Sequence, residues 1–123
     1  MMNLQNAPVA ANLPAVDLER AKKFYGEMLG LKEMEGHPGM ALFEAGSGSM
    51  IMLYAREATK ADHTAASFEV SDVVDTVKAL REKGVKFEDY PDMGTVDGVA
   101  TEGSSKVAWF KDTEGNILCL HQG

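Results

Sequence analysis

The stretch that decides the fold is Trp109-Phe110-Lys111-Asp112-Thr113-Glu114-Gly115-Asn116-Ile117-Leu118-Cys119-Leu120-His121-Gln122. Asp112 to Asn116 reads as a turn in which Gly115 and Asn116 both accept positive φ. Ile117 to His121 then alternates as a strand does, with Leu118 and Leu120 on one side and Ile117, Cys119 and His121 on the other. The second face decides the chemistry. Cys119 is the position on it at which to look for a metal ligand or for its absence.

Working outward, the same pattern stands earlier in the chain. Leu42-Phe43 precedes Trp109-Phe110 by 67 residues, and at the same spacing Gly48 precedes Gly115 and Met50–Tyr54 precedes Ile117–His121. Asp17 and Asp72 lie 55 residues apart, and each follows an apolar strand and caps a helix closed by a glycine, Gly30 or Gly84. The two spacings differ by 12, which fits an insertion in the second copy between Tyr90 and Ser105. The chain is therefore expected to be one domain over 1–123, built from two modules at about 8–56 and 63–122. Each module runs strand–helix–strand–strand–strand.

In the first module Val9 to Ala15 is a strand with Ala10, Asn12 and Pro14 on one face, and Pro14 belongs at its end or on a sheet edge. The helix after Asp17 has its stripe in Leu18, Ala21, Phe24, Tyr25, Met28 and Leu29. Leu31–Glu35, Met40–Ala45 and Met50–Ala55 follow as strands, the last two joined by Gly46–Ser49. In the second module Thr64–Val70 is a strand with Ala65, Ser67 and Glu69 on one face. Asp72 caps a helix striped by Val73, Val77 and Leu80. Val85–Glu88 is a strand, 90–105 a long loop with room for one short strand, and Lys106–Lys111 with Ile117–His121 the final hairpin. One helix per sheet covers one face, and an open curved face is a natural ligand surface.

Composition narrows the classes. At 123 residues, 45% apolar, the chain can bury a modest core. A net charge of -7 argues against nucleic-acid or anionic-membrane partners and favours neutral or cationic ones. A single cysteine makes no intrachain disulfide. The first residues, Met1 to Pro14, show no targeting signal and no window is apolar enough for a membrane span, so a cytoplasmic protein is expected.

Asn12-Leu13-Pro14-Ala15-Val16-Asp17, with Phe24-Tyr25 and Leu29-Gly30-Leu31 after it, resembles the opening of the glyoxalase/bleomycin resistance/extradiol dioxygenase proteins, the vicinal oxygen chelate superfamily. Phe68-Glu69-Val70-Ser71-Asp72 and Phe110 to Leu118 resemble its second-module signatures. The resemblance implies an α+β fold of two tandem βαβββ modules with sheets curled around a shared cleft, and commonly a homodimer. Its enzymes hold a divalent metal with His, Gln or Glu from the first and last strands of each module. Here those positions fall on Ala10, Met52, Ala65 and Cys119. Alanine has no lone pair to give, and a thioether and one thiol suit hard divalent ions poorly. No metal or other cofactor is expected.

The ligand-binding candidates are Asn12, Met52, Tyr54, Ser67, Trp109, Cys119 and His121. Trp109 and Phe110 alternate to opposite faces, and spacing leaves open which lines the cleft. The expected function is binding of a small organic molecule, cationic to suit the acidic chain, as in drug or metabolite sequestration. The alternative is a metal-dependent enzyme whose site is displaced onto His63, His121 and Glu69, with a bulge bringing His63 into register. It would be a lactoylglutathione-lyase-like lyase or isomerase, or a ring-cleaving dioxygenase.

Overall fold

Both helices start at an aspartate. The Asp17 carboxylate accepts the Arg20 amide at 3.1 Å, and that of Asp72 accepts the Asp75 amide at 2.9 Å. Each satisfies one of the backbone donors that a helix start leaves without an internal partner. The computed structural model describes residues 3–123; Met1 and Met2, part of the run read for a targeting signal, lie outside the described residues. The chain divides into two units, Met1–Glu57 and Ala58–Gly123.

The first unit contains β1 (Ala10–Ala15), α1 (Leu18–Lys23), β2 (Lys32–Met34), β3 (Met40–Glu44) and β4 (Met50–Ala55). Its sheet has the order β1-β4-β3-β2, with β1 parallel to β4 and the other pairs antiparallel. Leu13, Ala15, Phe43, Ile51 and Leu53 bury one face of this sheet, together with Ala21, Phe24 and Tyr25 of the helical segment. Each such Leu, Ile or Phe side chain contributes about 1.5–3 kcal/mol by leaving water. The expected single α-helix widens after Lys23 into a π turn over Phe24–Met28, where the Leu29 amide reaches back to the Phe24 carbonyl. Phe24 and Tyr25 are both buried in that turn, and Tyr25 packs on Phe43 with ring centroids 6.1 Å apart.

The second unit repeats the order with additions: β5 (Thr64–Glu69), α2 (Val73–Glu82), β6 (Phe87–Glu88), β7 (Thr95–Val96), β8 (Val99–Glu102), β9 (Ser105–Lys111) and β10 (Ile117–Gln122). The sheet runs β5-β10-β9-β8-β7, and β6 also pairs with β9. Val73, Val77, Ala108, Phe110, Leu118 and Leu120 form its buried side. Gln122 at the end of β10 accepts the Val73 amide at 2.9 Å, tying the last strand to the first turn of α2. No described helix is long and apolar enough to cross a membrane.

Three expectations need correction. The 90–105 segment is not a loop: β7 and β8 make a hairpin, and Asp97 and Gly98 between them both take positive φ, 52° and 82°. An Asp-Gly pair with both residues in that region is the two-residue turn whose twist matches its flanking strands. The strand expected over 85–88 shrinks to Phe87–Glu88, because Val85 is still bonded to Leu80 at the helix end. In the 112–116 turn Gly115 has φ 90°, but Asn116 is not among the residues of positive φ. Asn116 is buried instead and donates from its side chain to Asp112 at 2.7 Å.

Candidate functional site

Strand pairing puts the predicted side chains on the face of each sheet opposite its buried leucines, where Cys119 is itself buried, 6% exposed. In the first unit Asn12 lies beside Met52, and Pro14 beside Tyr54. Asn12 is exposed and its amide donates to the Ala10 carbonyl at 3.4 Å; Met52 and Tyr54 are partly exposed. Arg56 stands 5.8 Å from the centre of the Tyr54 ring.

In the second unit Ser67 lies beside Cys119, Cys119 beside Trp109, and Glu69 beside His121. Four of the expected residues are therefore neighbours: Ser67, Trp109, Cys119 and His121. Phe110 is fully buried on the opposite side, so Trp109, not Phe110, belongs to the uncovered face. The register of β5 against β10 shifts at Ile117, which pairs with Thr64, while Leu118 pairs with Ala66. The ladder passes over Ala65. The bulge brings Thr64, not His63, opposite Ile117, and the Trp109 indole N–H donates to the Thr64 hydroxyl at 3.2 Å.

The closest polar contact on this face joins His121 Nδ1 to Glu69 Oε1 at 2.6 Å, and the second carboxylate oxygen accepts the Gly123 amide at 3.0 Å. An ionised carboxylate only accepts, so Nδ1 carries the proton and Nε2 is left for other partners. The His121 hydrogen bond, and after it the Gly123 amide, hold the Glu69 carboxyl below its ordinary pKa. Glu69 is the functional candidate that the sequence reading left outside the binding set. Its place follows from the repeat, since 69 and 121 occupy the same rung as 14 and 54.

Burial pushes the Cys119 thiol above its ordinary pKa, against the lowering effect of a hydrogen bond with Ser67. The thiolate is the nucleophile and the metal ligand, and burial disfavours that form here. At the positions where the resemblance implies metal ligands, Ala10 and Ala65 offer no donor and Met52 only a thioether. Among the described residues no group of three or more His, Cys, Asp or Glu is placed to hold a metal ion. The displaced site on His63, His121 and Glu69 is not assembled: His121 engages Glu69, while His63 Nδ1 lies 3.2 Å from the Thr64 carbonyl.

Two concavities in the second unit were not foreseen. One, of about 300 Å³, opens beside Thr64 and Trp109 and is lined also by Asp62, His63, Tyr90, Met93 and Ile117. The other, of about 800 Å³, runs between α2 and the β7–β8 hairpin, with Val74, Val77, Val96 and Val99 among its walls. Both depend on the 90–105 segment, whose path the sequence reading did not assign.

Solved structures share this fold. They include a lactoylglutathione lyase from Agrobacterium tumefaciens (TM-score 0.73, 19% identity, 98% of this chain and 96% of that one). TnmS3, an antibiotic binding protein from a Streptomyces species, matches with TM-score 0.75 and 23% identity over 98% of both chains. A superfamily member from Sphaerobacter thermophilus matches with TM-score 0.76 and 19% identity, covering 98% of this chain and all (100%) of that one. No curated protein is similar enough in sequence to count as a match. The α+β architecture of two tandem βαβββ modules and a family model matching residues 8–120 agree: the chain belongs to the Glyoxalase/Bleomycin resistance protein/Dioxygenase superfamily.

Proposed function

We propose that this protein binds a small organic molecule on the open faces of its sheets, as a homodimer, and does not use the divalent-metal chemistry of the superfamily's enzymes. The observation that carries the reading is the residue set at the family's ligand positions, Ala10, Met52, Ala65 and Cys119. Around them stand groups suited to orienting an organic ligand: the Asn12 amide, the Tyr54 and Trp109 rings, the Ser67 hydroxyl and the His121–Glu69 pair. An acidic chain of net charge -7 favours a cationic ligand. The likeness to an antibiotic binding protein supports sequestration of a drug or metabolite as the role.

The test is metal analysis of the purified protein together with calorimetric screening of a panel of drugs and metabolites. Saturable binding that survives exhaustive chelation is the expected result. A stoichiometric, tightly held divalent ion, lost in His63→Ala or His121→Ala, overturns the reading in favour of a metal-dependent lyase, isomerase or dioxygenase.

A further inference from the structure

The smaller hollow of the second unit has a composition that selects one kind of ligand group. Tyr90 and Trp109 supply two of its walls, with ring planes at 83° and centroids 5.5 Å apart. The Trp109 ring and the Tyr90 backbone are held by hydrogen bonds that do not use the π faces. The Trp109 indole N–H is taken by the Thr64 hydroxyl at 3.2 Å. The Tyr90 backbone donates to the Thr95 hydroxyl at 2.7 Å and accepts from the Met93 amide at 2.8 Å. Asp62 brings a carboxylate to the rim, Met93 a polarisable thioether, and no Lys or Arg lines the space.

The face of an aromatic ring carries the negative part of its quadrupole, and walls at a right angle present that field from two directions. A carboxylate adds to it. An anion would meet repulsion from every charged or π-bearing group here except His63, whereas a soft cation gains from each. A hollow of about 300 Å³ is at the small end of ligand pockets and suits a head group better than a whole drug.

We propose that this hollow receives the cationic head of an organic ligand, an alkyl- or quaternary ammonium group, caught by Tyr90, Trp109 and Asp62. The inference rests on the ligand-binding reading above and names the charge and head group of the ligand. Trp109 is the only tryptophan in the chain, so its emission reports the hollow directly.

The experiment titrates the full chain with choline at fixed ionic strength and follows Trp109 fluorescence. The neutral isostere 3,3-dimethylbutan-1-ol serves as the control. Choline is expected to give a saturable change, with binding about tenfold weaker for the alcohol, for Asp62→Asn and for Tyr90→Leu. Tyr90→Phe should retain it, because the ring and not the hydroxyl is the wall. Equal response to the alcohol, or no saturable response to choline, overturns the inference. If panel ligands bind while choline leaves Trp109 unmoved, the hollow alone is at fault. If choline saturates but no panel molecule binds, the hollow stands and sequestration of a larger drug or metabolite falls.

Discussion

On the open face of the first sheet Asn12 lies beside Met52 and Pro14 beside Tyr54; on the second, the same rungs hold Ser67 with Cys119 and Glu69 with His121. The covered faces differ far less: Phe43 corresponds to Phe110, Ile51 to Leu118 and Leu53 to Leu120, all buried. The repeat is thus kept on the covered faces and released on the opposite ones, where Cys119 alone of these residues is buried. A buried position is constrained in volume and polarity by its neighbours. An open one is constrained only by what it must touch. The first sheet presents one asparagine, methionines and a tyrosine there, the second a tryptophan with hydrogen-bonding and ionisable groups.

The turns that launch the last strand of each unit give the largest test of this contrast. In the first unit Gly46–Gly48 is exposed and held at its end by the Ser49 hydroxyl on the Gly46 carbonyl. In the second, Asp112 is 6% exposed and its carboxylate accepts the Glu114 and Asn116 amides and the Asn116 side chain, at 2.7–2.9 Å. Asp112→Ala would leave these donors buried without that acceptor and should destabilise the protein by about 3 kcal/mol, read from urea unfolding. Ser49→Ala should stay within about 0.5 kcal/mol. Equal losses would break the contrast, since they would make both turns structural to the same degree.

Much of this was legible because burial writes a period into the sequence. The alternation of Ile117 to His121, the two capping aspartates and the repeat spacing led to the two strand–helix–strand–strand–strand modules; the parallel pairing of their first and last strands is seen only in the structure. The bulge at Ala65 was invisible because β5 alternates smoothly through it; only the partner strand reveals that Thr64, not Ala65, meets Ile117. The 90–105 segment escaped for another reason. Its polar residues outnumber its valines, so hydrophobic periodicity fails there, although Asp97-Gly98 between Val96 and Val99 is a hairpin signal in its own right. Glu69 was seen on the correct face, but its bond to His121 crosses two strands and needs the parallel register that propensity cannot supply.

That hairpin is also where the units diverge in architecture, and it offers the intermediate test. In the first unit only β2 pairs with β3 on the side away from β4; in the second, β6 takes that place against one end of β9 and β8 pairs with the rest of it. Gly98 holds the addition against the helix: a Cβ there would lie 2.9 Å from Arg81 Nη2 and 3.1 Å from Phe87 Cβ, at φ 82°. Arg81 in turn donates to the Asp97 carbonyl at 3.0 Å. Gly98→Ala should cost about 1–2 kcal/mol through the left-handed backbone and the displaced arginine. Amide exchange should quicken in β7 and β8 while the first unit stays unchanged. Faster exchange in β2 as well would show that the hairpin is not a local addition.

The smallest effect separates the fifth rung of the two sheets by pH. Pro14 and Tyr54 hold no carboxylate, whereas the Glu69 carboxyl is kept below its ordinary value of about 4.3 by His121 and the Gly123 amide. Because the folded value is the lower one, the native chain binds fewer protons than the unfolded chain in the interval between them. The contribution is therefore complete above the unfolded value and is lost as pH falls through the folded one. Carbon-detected NMR of the Glu69 carboxyl should show it titrating below the other exposed glutamates, and His121→Ala should return it most of the way, leaving the Gly123 amide as the remaining influence. The stability difference between wild type and His121→Ala should shrink as pH falls below about 4. It is expected to be small, since both side chains are largely solvent-exposed. An unshifted Glu69 in the wild type would mean that the 2.6 Å contact does not persist in solution, and the open face of the second sheet would then be no more ordered by charge than that of the first.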